Sequence, residues 1–184
     1  NYNPVVYAAD MGALLDSLGV EKAIAIGTSM GGLMAMVMTQ TMPGRLSAII
    51  LNDVGPEVDM AGIRRIQSYV GGGGTPATDW DSAARTAEAV NAVAFPDYGP
   101  DDWMAFARRT YRENADGVPV LAYDKAIAGG MDDADLTAVP PDLWPAWDAM
   151  GDIPVLAIRG AHSDLLSPEI LADMARRHTG DFTP

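Results

Sequence analysis

The sequence contains no cysteine and only two histidines among its 184 residues. The first absence excludes disulfide staples, a thiol nucleophile and thiolate metal sites. The second matters for base chemistry, below. Positive charge is scarce as well: 12 Lys and Arg stand against 25 Asp and Glu, a formal net charge of -13. That balance argues against a nucleic-acid partner, which calls for a basic face, and against anchoring on anionic lipid. The carboxylates are dispersed, so the acidity reads as a solvated surface. No apolar run approaches the length of a membrane span. No secretory leader is visible, and a cytoplasmic location is the expectation. What the chain does have is apolar material. Hydrophobic residues make up 48 %, enough for a substantial core in one domain, or one domain with an insertion.

Periodicity organises the chain into two similar textures with a different one between them. Residues 4 to 18 read as an amphipathic helix, with Val5, Ala8, Met11, Leu14, Leu15 and Leu18 on one face. Gly19 ends it. Lys22 to Ile26 reads as a short buried strand, Met30 to Thr41 as a helix that is apolar nearly all round, and Leu46 to Leu51 as a second buried strand. Strand, helix and strand with short connections imply a right-handed parallel crossover. From Glu57 to Val139 no strand run is visible. Helical stretches alternate there with breakers, including the flexible run Gly71 to Gly74. This middle region reads as a helical insertion or lid. Its aromatic residues Trp80, Phe95, Tyr98, Trp103, Phe106 and Tyr111 either line an apolar pocket or hold the small helices together. Body texture returns at Leu143 to Met150 and in the strand Ile153 to Ile158. Ser167, Pro168 and Glu169 are start signals for a helix through His178.

Gly27-Thr28-Ser29-Met30-Gly31 has the pattern G-x-S-x-G. It sits where a strand gives way to a helix, the context that makes this pattern a nucleophile elbow. A serine on such a turn is clear of its neighbours, so a base can approach from one side and a carbonyl from the other. Gly27 and Gly31 meet the demand for small flanking residues, and Gly32 lets the helix approach the sheet. Met30 would present its backbone N–H to an oxyanion at the helix start. Ser29 is the candidate nucleophile.

The loop Gly160-Ala161-His162-Ser163-Asp164 follows the third body strand. Functional groups in open α/β sheets collect at such carboxyl ends. Asp164 is the candidate acid, able to orient an imidazole and stabilise its protonated form. Asp53, at the end of the second strand, is its rival. Neither histidine reads as the base. His162 precedes the acid in the same turn, and His178 ends a helix, where it is expected to cap carbonyls and face solvent.

The stretches "MGALLDSLGVEKAIAIGTSMGG" and "LNDVGPE", together with "DLWPAWDAMGDIPVLAIRGAHSDLLSPE", resemble the α/β-hydrolase superfamily. The similarity is strongest to its capped bacterial branch of enol-lactonase-like, carboxylesterase-like and C–C bond hydrolases. The resemblance implies a parallel-sheet α/β core in 1–56 and 142–184, with a helical cap in 57–141. It implies Ser29 as nucleophile, Met30 as one oxyanion donor and Asp164 as triad acid. No metal or cofactor is called for, and the implied partner is a small apolar substrate. Serine at the elbow, rather than aspartate, separates the chain from dehalogenase-like and epoxide-hydrolase-like relatives. On the same resemblance the chain is expected to be an internal fragment. The second oxyanion donor would precede Asn1, and the catalytic histidine would follow Pro184 after one further strand.

Overall fold

The computed structural model describes residues 2–67, 76–128 and 142–184. The run Gly71 to Gly74 lies outside them. Contacts divide the chain into two compact units: Asn1–Arg65 with Asp133–Pro184, and Ile66–Asp132. No described helix is long and apolar enough to cross a membrane.

The first unit is built on a four-stranded parallel sheet. Its strands are β1 (Ala23–Thr28), β2 (Leu46–Asn52), β5 (Val155–Ile158) and β6 (Phe182–Thr183), in the order β1-β2-β5-β6. The sequence predicts a further strand only after Pro184; the two-residue strand β6 already pairs with β5 ahead of that point. Each strand is added on the same side of the last. Right-handed crossovers then carry α2 (Met30–Thr41) and α7 (Pro168–Arg177) to one face. That face holds the core, in which Leu46, Ile49, Leu51, Val155 and Ala157 of the strands pack with Ala35, Met36, Met38 and Met174 of the helices. The pairing register shifts between Ala23 and Ile24, and this brings Leu46 and Ile49 to the same side despite their odd spacing. On the other face Ile24, Ile26 and Ile158 are 64%, 75% and 46% exposed, so no described element covers them.

Helix α1 (Pro4–Ser17) lies against α2. It starts where the Asn3 side chain accepts from Val6 N, with Pro4 in its first turn. Its buried stripe is narrower than the sequence suggests. Ala8, Gly12 and Leu15 are buried, whereas Val5, Leu14 and Leu18 are exposed. The reason is Gly12, where an added Cβ would lie 2.5 Å from Met42 Sδ. The Met42 side chain, just beyond α2, thus seats on α1 at that glycine. A short helix α6 (Trp144–Asp148) places Trp147 in full burial.

The second unit corrects the expectation that the middle region has no strands. It contains α4 (Trp80–Asn91), α5 (Pro100–Thr110) and an antiparallel hairpin of β3 (Tyr111–Glu113) and β4 (Pro119–Leu121). Three-residue strands are too short for a visible alternation. The turn shows instead in side-chain chemistry: Asn114 Oδ1 accepts from Asp116 N and Val118 N, and Gly117 takes a φ of 75°. Four of the aromatics, Phe95, Tyr98, Trp103 and Phe106, pack on one another, while Trp80 lies under Arg108. Trp103 is buried against Tyr98 and Phe106, with ring centroids 5.1 and 5.9 Å away.

Candidate active site

Ser29 stands between the last residue of β1 and the first of α2. Its φ and ψ are 49° and -116°. Among the described residues only Ser29 and Asp53 are non-glycines with positive φ. A left-handed backbone costs an L-residue about 1–2 kcal/mol, so surrounding contacts must impose it. At Gly27 an added Cβ would lie 2.5 Å from the backbone of Gly31 and Gly32. At Gly32 it would overlap Val54 Cγ1 and come within 3.3 Å of Gly27 O. The helix therefore starts directly over the end of the strand, and the chain turns within one residue. Ser29 N donates to Asn52 O at 3.3 Å, while Ser29 O accepts from Gly32 N and Leu33 N at 2.9 and 3.2 Å. The side chain makes no capping hydrogen bond, and the residue is exposed. Its hydroxyl is available for chemistry.

Met30 is the first residue of α2, and first-turn amides have no acceptor within their own helix. The positive end of the helix dipole adds to that electrophilic character. One part of the sequence expectation does not hold. A Cβ at Gly31 would meet nothing within 4 Å, so of the three glycines around Ser29 only Gly27 and Gly32 are sterically required.

The carboxyl ends of β1, β2 and β5 are aligned, with Thr28 opposite Asn52 and Asn52 opposite Ile158. Adjacent strands lie about 4.8 Å apart, so the ends of β1 and β5 are separated by roughly 10 Å. Ser29 and Asp164 are consequently carried on the same edge of the sheet. Asp53 stands between their strands with a φ of 57°. Its N–H donates to Ile158 O at 2.8 Å, and its Oδ1 accepts from Gly160 N at 3.0 Å. This residue braces the loop that follows β5.

Asp164 meets a partner that sequence reading missed. Arg65 Nε donates to its Oδ2 at 2.5 Å, and Arg65 Nη2 donates to its Oδ1 at 2.8 Å. This guanidinium holds the Asp164 carboxyl below the usual carboxylate range, against a smaller opposing effect of burial. Arg65 lies 99 residues away in sequence, beside Arg64 in α3 (Met60–Gln67), and nothing in its local pattern marks it.

His162 is exposed in the loop that carries Asp164. His178 differs from expectation. It is half-buried, its Nε2 lies 2.9 Å from Ile153 O, and its ring packs on Trp147 and Phe182 at centroid distances of 5.4 and 5.9 Å. Its backbone N–H caps the Met174 carbonyl of α7 at 3.0 Å, but the backbone there turns extended and carries the ring toward Ile153 rather than into solvent.

A parallel sheet with a strained serine at a strand-to-helix turn defines a class, and the class has a name. The chain belongs to the alpha/beta hydrolase fold family, whose profile matches residues 1–182. It is 31% identical over 179 residues to the 3-hydroxybutyrate-oligomer hydrolase of Cupriavidus necator, covering 93% of this chain and 59% of that protein. It is 25% identical to the 2-(acetamidomethylene)succinate hydrolase of Mesorhizobium japonicum, covering 92% of this chain and 58% of that one. Among solved structures, an alpha/beta hydrolase from Novosphingobium aromaticivorans superposes with a TM-score of 0.84 at 37% identity, covering 99% of this chain and 64% of the other. The chain thus spans between 58% and 64% of the length of these relatives.

Proposed function

We propose that these residues form the body of a serine hydrolase that cleaves a small, largely apolar ester, lactone or activated ketone through an acyl-enzyme. The observation that carries this reading is the backbone of Ser29. A strained, exposed serine whose side chain makes no capping hydrogen bond, held between two sterically required glycines, supports the nucleophile-elbow reading. The hydrolase names of the relatives support the same reaction class.

In this scheme Ser29 Oγ attacks the substrate carbonyl while a histidine takes its proton. The oxyanion rests on the Met30 N–H and a second amide. The tetrahedral intermediate collapses, the leaving group departs with the proton held by the histidine, and water then releases the acid and restores Ser29. Asp164 orients the imidazole. The scheme requires no metal or organic cofactor. His178 is committed to Ile153 O, and His162 shares the acid's own loop, so the reading assigns the base to neither of these histidines. Loss of a triad base costs on the order of 10⁶ in rate, and loss of one oxyanion donor about 10²–10³. The 184 residues by themselves are therefore expected to be nearly inert.

The test is turnover of p-nitrophenyl acetate, p-nitrophenyl butyrate and the 3-hydroxybutyrate dimer by the full-length hydrolase. The dimer is included because one relative is named for hydrolysing such oligomers. Ser29→Ala should abolish turnover. Undiminished hydrolysis by that variant refutes the assignment.

A further inference from the structure

We propose that Arg65 is a positioning residue of this site, fixing the ionised carboxylate of Asp164 in the orientation from which it receives the imidazole. The inference rests on the serine-hydrolase reading and adds to it a residue that lies outside the triad and the oxyanion hole.

Three contacts dock α3 on the Asp164 loop. Asp59 N, at the start of the helix, donates to Leu165 O at 3.0 Å. Gly62 faces the loop so closely that a Cβ would lie 2.5 Å from Asp164 O and 2.5 Å from Leu165 Cδ2. One turn further on, the Arg65 fork closes on both carboxylate oxygens, at 2.5 and 2.8 Å. The glycine sets the distance and the arginine sets the angle. A planar guanidinium matched to a carboxylate defines the plane of that group as well as its position.

The loop is also fixed from beneath. Arg159 Nε donates to Leu166 O at 2.6 Å, and Ser163 Oγ accepts from Leu165 N and Leu166 N, both at 3.1 Å. The loop backbone is thus secured without Arg65, which leaves the carboxylate itself as the group Arg65 controls. A carboxylate has about four lone-pair sites. The fork occupies two of them and leaves two for an imidazole N–H. Among the described residues, the charged and titratable groups on the loop and on the elements bonded to it are Arg65 on α3, Asp59 just before that helix, Asp53 at the end of β2, and Arg159 and His162 in the loop itself.

The experiment is a double-mutant cycle in the full-length hydrolase, with Arg65→Met and Asp164→Asn alone and combined. Arg65→Met should lower kcat by about 10²-fold, the scale on which small misplacements act, with KM little changed. In the Asp164→Asn background it should cost nothing further, because Arg65 acts through that carboxylate. Arg65→Lys keeps the charge but loses the fork, and should recover only part of the rate. Unchanged kcat in Arg65→Met, or an equal loss in both backgrounds, overturns the proposal. Carboxyl ¹³C NMR of the full-length hydrolase separates this failure from failure of the catalytic reading. Asp164 should titrate below the ordinary carboxylate value and return toward it in Arg65→Met, whatever Ser29 does; an unmoved titration also overturns the proposal.

Discussion

Ser29 keeps a positive φ only because its neighbours leave no room for a gentler turn. The glycines around it therefore divide by what a methyl group would strike. Gly32→Ala drives a Cβ into Val54, and Gly27→Ala drives one into the backbone of the helix start. Each should lower stability by about 1–3 kcal/mol, the cost of overpacking. Gly31→Ala meets open space and should change stability by no more than about 1 kcal/mol, in either direction. Denaturant unfolding of the three variants checks this order. Asp164 supplies a second residue-scale expectation. Its folded-state carboxyl is depressed below the ordinary value of 3.8 by the Arg65 hydrogen bonds. The pair's contribution is complete above that value and disappears as pH falls through the lower folded value. The stability gap between the wild type and Arg65→Met should hold at neutral pH and close below about pH 4.

At the scale of elements, ends are set by local chemistry and faces by packing. Helix α7 starts as its sequence predicts: Ser167 Oγ accepts from Ile170 N at 3.2 Å, with Pro168 and Glu169 in the first turn. Ser167→Ala should cost about 1 kcal/mol, measured by thermal or denaturant unfolding. The start of α4 follows the same rule, with Asp79 and Ser82 forming a reciprocal capping box. The hairpin of β3 and β4 was not legible, since its strands are three residues each and its register is held by Asn114 and Gly117. Gly117→Ala forces a left-handed alanine and should destabilise the second unit by about 1–2 kcal/mol, checked by amide exchange across the hairpin. Helix α1 failed in the opposite way. Its apolar residues were visible, but which of them are buried depended on tertiary packing, with the Met42 side chain seated against Gly12.

For the whole molecule, the sheet is covered on one face and open on the other among the described residues. Ile26 on β1 is directly opposite Ile50, which is opposite Leu156, and Ile24 stands two residues back on the same face. Contiguous exposed aliphatic surface of this kind drives association. The 184-residue chain should bind a hydrophobic dye and self-associate in sedimentation experiments. Changing Ile24 and Ile26 to Lys should reduce both with little loss of stability, because those side chains touch little that is buried.

The sequence alone determined the parallel crossover, the turn at Ser29, the helix starts and the loop carrying Asp164. All of these rest on short-range rules: period, glycine placement and capping. Tertiary structure decided the rest. It turned Asp53 into a brace through Gly160 N, drew His178 to Ile153 O, and brought Arg65 to Asp164 across 99 residues. These partners meet only when strand ends and helix faces are assembled. Pairing of charges and polar groups depends on distance in space, and local pattern carries no record of it.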